Sequence, residues 1–121
     1  MKASIVIANY NNSNFIEECI NSLTSQTYKN IEIIFFDDNS QDNSIKIIKN
    51  FKNIKIIENN SQTEFGSINQ MNAFQKAIEM STGDVIFFLD SDDYFHQDKI
   101  GKIVDLFSND ANKMIIYDFP I

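Results

Sequence analysis

Val85-Ile86-Phe87-Phe88-Leu89-Asp90-Ser91-Asp92-Asp93 is the stretch that decides how this chain folds. An apolar run stops abruptly at three carboxylates, Asp90, Asp92 and Asp93. The run is too short for a helix and Gly83 bounds it, so it reads as a buried strand. Its end is then a strand tip, where open α/β sheets bind ligands. Carboxylates packed this tightly repel one another unless a cation sits among them. Hard oxygen ligands suit Mn²⁺ or Mg²⁺, ions commonly shared with substrate phosphates.

The rest of the chain alternates in the same way. Ser4 to Ala8 is a short apolar run, read as a first strand, and the turn-forming cluster Asn9 to Asn14 follows. Asn14 with Glu17 fits a capping box for a helix carrying Phe15, Ile16, Cys19, Ile20 and Leu23. Ile31 to Phe36 is a second strand, ending at Asp37-Asp38-Asn39-Ser40. Asp42 caps a second helix with Ile45, Ile48 and Phe51 on one face, and Ile54 to Ile57 is a third strand. A polar loop over 58–65 precedes a third helix over 67–80, with Gly83 at its C-terminal break. After the Val85 to Leu89 strand come a fourth helix over 97–107 and a last strand, Met114 to Tyr117. Strands alternating with helices imply βαβ units and a mainly parallel sheet in an α/β fold. Right-handed crossovers bring every strand's C-terminal end to one edge. That edge collects Asn9-Tyr10, Asp37-Asp38-Asn39, the 58–65 loop and Asp90 to Asp93.

Composition narrows the function. With 121 residues, 43% of them hydrophobic, the chain can bury one core. No apolar stretch approaches the roughly 20 residues that span a bilayer. Cys19 is the one cysteine, which excludes an internal disulfide and fits a reducing compartment. The net charge is −7 and every basic residue is Lys, a poor basis for binding a nucleic-acid polymer. Without Arg, a bound phosphate would take much of its positive charge from a metal.

Each cluster has a chemical and a structural reading. In Asp90-Ser91-Asp92, alternate carboxylates can place one oxygen on a metal and another on a sugar hydroxyl, or the turn can cap the following helix. Asp93 serves equally as a turn residue. Asp37 and Asp38 can accept hydrogen bonds from a base or ribose, or form an Asx turn. Tyr10 can stack on a nucleobase or pack over the first helix. Asn9 and Asn11 suit ligand or turn roles. Gln70, in the first turn of the third helix, can reach a diphosphate, aided by the helix dipole, or can face solvent. The single histidine, His96, reads as a surface residue ahead of a metal or substrate ligand.

Taken in order, four segments resemble the family 2 glycosyltransferases, whose catalytic domain has the GT-A fold. They are Ser4 to Asn11; Cys19 to Tyr28; Ile31 to Ile34 running into Asp37-Asp38-Asn39-Ser40 and Asp42-Asn43-Ser44; and Thr82 to Asp93. The resemblance covers nearly the whole chain. It implies a Rossmann-like three-layer sandwich, with residues 1–121 forming the N-terminal nucleotide-sugar-binding part of a longer domain. It implies metal-dependent transfer, with inversion, of a sugar from a nucleotide-sugar donor, usually a UDP-sugar, to a saccharide or lipid-linked acceptor. Ala8, Asn9, Tyr10, Asp37 and Asp38 would surround base and ribose. Gln70, Asp90 and Ser91 would complete the donor site, and Asp92, with Asp90, would hold Mn²⁺ or Mg²⁺. The third helix departs from the family: Gln75 stands where Asn is usual and Ala77 where Gly is usual.

Length is a second departure. Domains of this kind continue well beyond such a point, and the general base expected of an inverting transfer has no candidate here. The chain therefore reads as truncated, with exposed apolar surface that favours a homo-oligomer. The resemblance further suggests bacterial polysaccharide or glycolipid synthesis, in the cytoplasm or peripherally at the inner membrane face. The rival is a non-catalytic nucleotide-binding or interaction module that keeps the fold. A phosphoacceptor receiver would want an acidic pair after strand 1, which ends here in Asn-Tyr. A dinucleotide dehydrogenase would want G-x-G-x-x-G there.

Overall fold

The computed structural model of the chain describes residues 1–59, 72 and 75–109. Four strands, β1 (Ala3–Asn9), β2 (Ile31–Asp38), β3 (Ile54–Asn59) and β4 (Val85–Asp90), form one sheet in the order β3-β2-β1-β4. All three pairings are parallel. The helices are α1 (Ile16–Thr24), α2 (Ser44–Ile48), a helical stretch over residues 75–80, here α3, and α4 (Lys99–Asn109). The expected strand Met114 to Tyr117, Gln70, and most of the 58–65 loop and third helix lie outside the described residues.

Strand periodicity builds the layers, because successive side chains point to opposite faces. Ile5, Ile7, Ile33, Phe35, Val85, Phe87 and Leu89 face one way and pack with Ile16, Cys19, Ile20 and Leu23 of α1, Ile48 of α2, and Ile100 and Val104 of α4. Val6, Ile34, Phe36 and Ile57 face the other way and pack with Ala77 of α3. The result is the expected α/β three-layer sandwich. Cys19 is a core residue, 1% exposed. Burial, then the charges of Asp93, Asp92 and Asp90, pushes its thiol up to about 12, so it is no nucleophile at neutral pH.

Several local expectations are corrected. The Asn14–Glu17 capping box does not form: Phe15 is the N-cap of α1, makes no side-chain cap bond, and is 48% exposed. The apolar stripe begins at Ile16. Asp42 lies one residue outside the N-cap of α2, where it accepts from the Ser44 N–H at 2.9 Å and the Ser13 N–H at 3.0 Å. Burial opposes its ionisation, but these bonds and that of the Ser44 hydroxyl outweigh it and lower its pKa. Gly83 has no positive φ. A Cβ there would lie 2.4 Å from Ser4 Oγ and 2.8 Å from Lys2 O, so close approach to β1 is what requires glycine.

Candidate functional site

The C-terminal ends of the strands bring the polar clusters together in register. Ala8 lies opposite Asp90, Asn9 opposite Asp37, and Asp38 opposite Asn59. Alternation then divides them. Asn9 and Asp37 continue the row of Ile7 and Phe35, on the face covered by α1, α2 and α4. Ala8, Asp38 and Asp90 continue the row of Val6, Phe36 and Phe88, on the other face.

The first set is buried and bonded to itself. Asn9 and Asp37 are each 2% exposed and Ser91 is 0% exposed. Asn9 Nδ2 donates to Asp37 Oδ1 at 2.8 Å and to Ser40 Oγ at 3.2 Å. The other end of the amide, Oδ1, accepts from the Ser91 hydroxyl at 2.7 Å. Ser40 donates its hydroxyl to Asp37 Oδ1 at 2.6 Å and its N–H to Asp37 Oδ2 at 2.9 Å. Every polar side chain that this region buries is thereby satisfied. The sequence grouped Asn9, Asp37 and Ser91 with the ligand-contacting residues; in the structure their side chains are buried and bonded to one another.

The second set is open. Tyr10 is 52% exposed beyond the end of β1. Asp38 is half-buried and accepts from Asn59 Nδ2 at 3.0 Å. Asp90, Asp92 and Asp93 are exposed, and the Asp93 N–H donates to Asp90 O at 3.0 Å to close the acidic turn. Partial desolvation of its carboxyl first, and then the charges of Asp92 and Asp93, raise the Asp90 pKa above the usual carboxylate value. A cation between these groups would reverse that effect. No ready-made group of three side-chain ligands exists among the described residues. The exposed carboxylates of Asp90 and Asp92 offer the hard oxygen donors that Mn²⁺ or Mg²⁺ takes.

The two loops flanking the site are stapled. Asn39 and Asn11 have φ of 56° and 51°, a conformation that Asn tolerates better than most residues. The Asn11 N–H donates to Ser40 Oγ at 3.0 Å, and its Oδ1 accepts from the Gln41 N–H at 2.8 Å. Asn11 is thus a turn residue that locks the loop after β1 to the loop after β2.

Two structural centres had no role assigned from sequence. Gln26, 0% exposed, donates to Ser22 O at 2.9 Å and His96 O at 2.7 Å, and accepts from the Ile100 N–H at 3.1 Å. It pins the segment after the acidic turn to α1 and caps α4. The Gln within the Cys19 to Tyr28 segment was the visible signal. His96 itself is exposed, consistent with a surface residue. At the opposite end of the sheet, Glu32 gathers the Ser4 hydroxyl at 2.5 Å, Lys55 at 3.0 Å and Lys2 at 3.5 Å. Burial opposes its charge, yet bonds from Ser4, the Thr82 backbone and Lys55 lower its pKa to about 2. Nothing in the local pattern marks that cluster. Gln75 is exposed, with its amide 3.4 Å from Glu79 Oε1.

Comparison with known proteins agrees with this architecture. The chain is 38% identical, over an alignment of 124 positions, to the UDP-Glc:alpha-D-GlcNAc-diphosphoundecaprenol beta-1,3-glucosyltransferase WfaP of Escherichia coli, covering 98% of this chain and 48% of that protein. The fold is shared with S. aureus TarS 1–349 in complex with UDP-GlcNAc, at a TM-score of 0.76 and 24% identity over 90% of this chain and 32% of that one. It is shared too with the mannosyltransferase PcManGT from Pyrobaculum calidifontis in complex with GDP-Man and Mn²⁺, at a TM-score of 0.77 and 17% identity over 88% of this chain and 32% of that one. The chain thus spans about half the length of the curated relative and about a third of each solved structure. Residues 4–121 match glycosyl transferase family 2, and the chain belongs to that family.

Proposed function

We propose that this chain forms the donor half, residues 1–121, of a GT-A glycosyltransferase domain that moves a sugar from a nucleotide sugar, a UDP-sugar above all, to a saccharide or lipid-linked acceptor with inversion. One observation carries the reading: the β1–β4 register brings the open Asp90–Asp92 turn beside Ala8, with Asp38 and Tyr10 on the same sheet edge. Asp38 and the main chain of Ala8 and Asn9 would contact base and ribose, and Tyr10 would stack on the base. Asp92, with Asp90, would hold Mn²⁺ or Mg²⁺, and Gln70 would approach the diphosphate. The metal, when bound, supplies positive charge to the departing diphosphate. Asn9, Asp37 and Ser91 position these groups from beneath.

The relatives support the donor class: WfaP is named for UDP-Glc and the TarS complex for UDP-GlcNAc. The PcManGT complex with Mn²⁺ supports a divalent ion. A lipid-linked acceptor, as in the WfaP name, would place the enzyme peripherally at the inner membrane face. No helix among the described residues is long and apolar enough to cross a membrane. The test is calorimetric titration with UDP, with and without Mn²⁺, beside Asp92→Ala. Binding that needs both the metal and Asp92 is expected; UDP affinity indifferent to both would refute the assignment.

A further inference from the structure

Ser91 stands between the two carboxylates of the acidic turn, yet its side chain points away from them. Its main-chain N–H donates to Ala8 O at 3.1 Å, extending the β1–β4 ladder one residue beyond the strand. Its hydroxyl donates to Asn9 Oδ1 at 2.7 Å and accepts from Asn12 Nδ2 at 3.1 Å. These contacts hold Ser91 at three points, one through its backbone and two through its hydroxyl.

The direction of the hydroxyl proton is set from a distance. Asp37 takes the N–H₂ end of the Asn9 amide, because the carbonyl end would face a carboxylate. The Asn9 carbonyl oxygen is thereby turned to Ser91 and takes its one proton. Ser91 cannot then donate to Asp90 or Asp92. A carboxylate at the end of β2 thus sets the polarity of the turn at the end of β4.

We infer that Ser91 is a positioning residue for the acidic turn: its buried hydroxyl, clamped by Asn9 and Asn12, fixes the main chain between Asp90 and Asp92, the residues that would hold a divalent ion. The inference rests on the donor-site reading above. Without the clamp, mutual repulsion lets the turn open, and ordering it again is charged to each metal-binding event.

The readout is the factor by which Mn²⁺ tightens UDP binding, measured by calorimetry on the full chain, with bound Mn²⁺ counted by electron paramagnetic resonance. A merely structural role lowers the folded fraction and the melting temperature but leaves that factor unchanged. Ser91→Ala should reduce the factor about five- to tenfold, the equivalent of one or two lost hydrogen bonds. Asn12→Ala, which removes one bond at a half-buried position, should reduce it about two- to fivefold. Should Ser91→Ala fail to fold, Asn12→Ala carries the test. An unchanged factor in folded variants overturns the positioning role alone. A factor of one in the unmodified chain overturns the donor-site reading, and this inference with it.

Discussion

Replacing Gln26 with methionine tests how the segment carrying the acidic turn is held. The substitution keeps the volume and removes all three hydrogen bonds. Ser22 O, His96 O and the Ile100 N–H then lose a partner at a side chain that is 0% exposed. Each neutral bond contributes about 1 kcal/mol net, and a buried group left unpaired costs about 1–3 kcal/mol. Methionine recovers some packing, so the expected loss is about 3 kcal/mol, within roughly 2–5. That is a large share of a typical domain stability of about 5–15 kcal/mol. Urea denaturation of the two proteins, compared at equal slope, reads the difference directly. Gln26→Glu should be worse than methionine, because it removes both donors and buries a charge. A loss below about 0.5 kcal/mol for Gln26→Met, the range of ordinary surface changes, would refute the clamp.

Gly83→Ala should destabilise by about 1–3 kcal/mol, since its Cβ would meet the Lys2 and Ser4 backbone at 2.8 Å and backbone cannot yield as a side chain can; an unchanged thermal midpoint would contradict this. Glu32 ionises at about 2 in the fold against 4.5 normally, so its contribution is complete above pH 4.5 and is lost as pH falls toward 2. With solvent screening of Lys2 and Lys55 allowed for, that contribution is on the order of 1–2 kcal/mol, and acid titration of Glu32→Gln should lack this part of the stability loss. Asp90→Asn should raise the melting temperature of the ligand-free protein, because burial and its acidic neighbours disfavour the carboxylate, while weakening Mn²⁺-dependent UDP binding; a lower melting temperature would show that Asp90 has a stabilising partner.

The layered fold was legible because its signals are local. Apolar runs of strand length, each stopped by a polar cluster, mark the strands, and alternation with helices makes the sheet parallel, while their order in the sheet came from the structure. Apolar periodicity likewise located Ile16, Cys19, Ile20 and Leu23 in the core. Helix ends were less legible. Asn14 and Glu17 satisfy the capping pattern, yet the turn after β1 is governed by bonds to Ser40, Gln41 and Asp42, which lie about thirty positions away.

The division of labour among the polar residues lay beyond the sequence. Asp37 and Asp38 are adjacent and chemically identical, and strand alternation sends one into a buried clasp and leaves the other at the open edge. Which face is covered depends on where α1, α2 and α4 pack. The bonds that decide it, Asn9 to Asp37 and Ser91 to Asn9, join positions 28 and 82 residues apart. Gln26 and Glu32 belong to the same class, polar side chains whose burial depends on partners remote in the chain, His96 and Ile100 for Gln26 and Ser4 and Lys55 for Glu32. By itself the sequence determined the four strands β1 to β4, which edge collects the acids, and the family. Only the tertiary structure decided which of those acids stay exposed and which is bonded into the buried clasp, because a hydrogen bond's worth depends on burial and on a partner that local patterning does not contain.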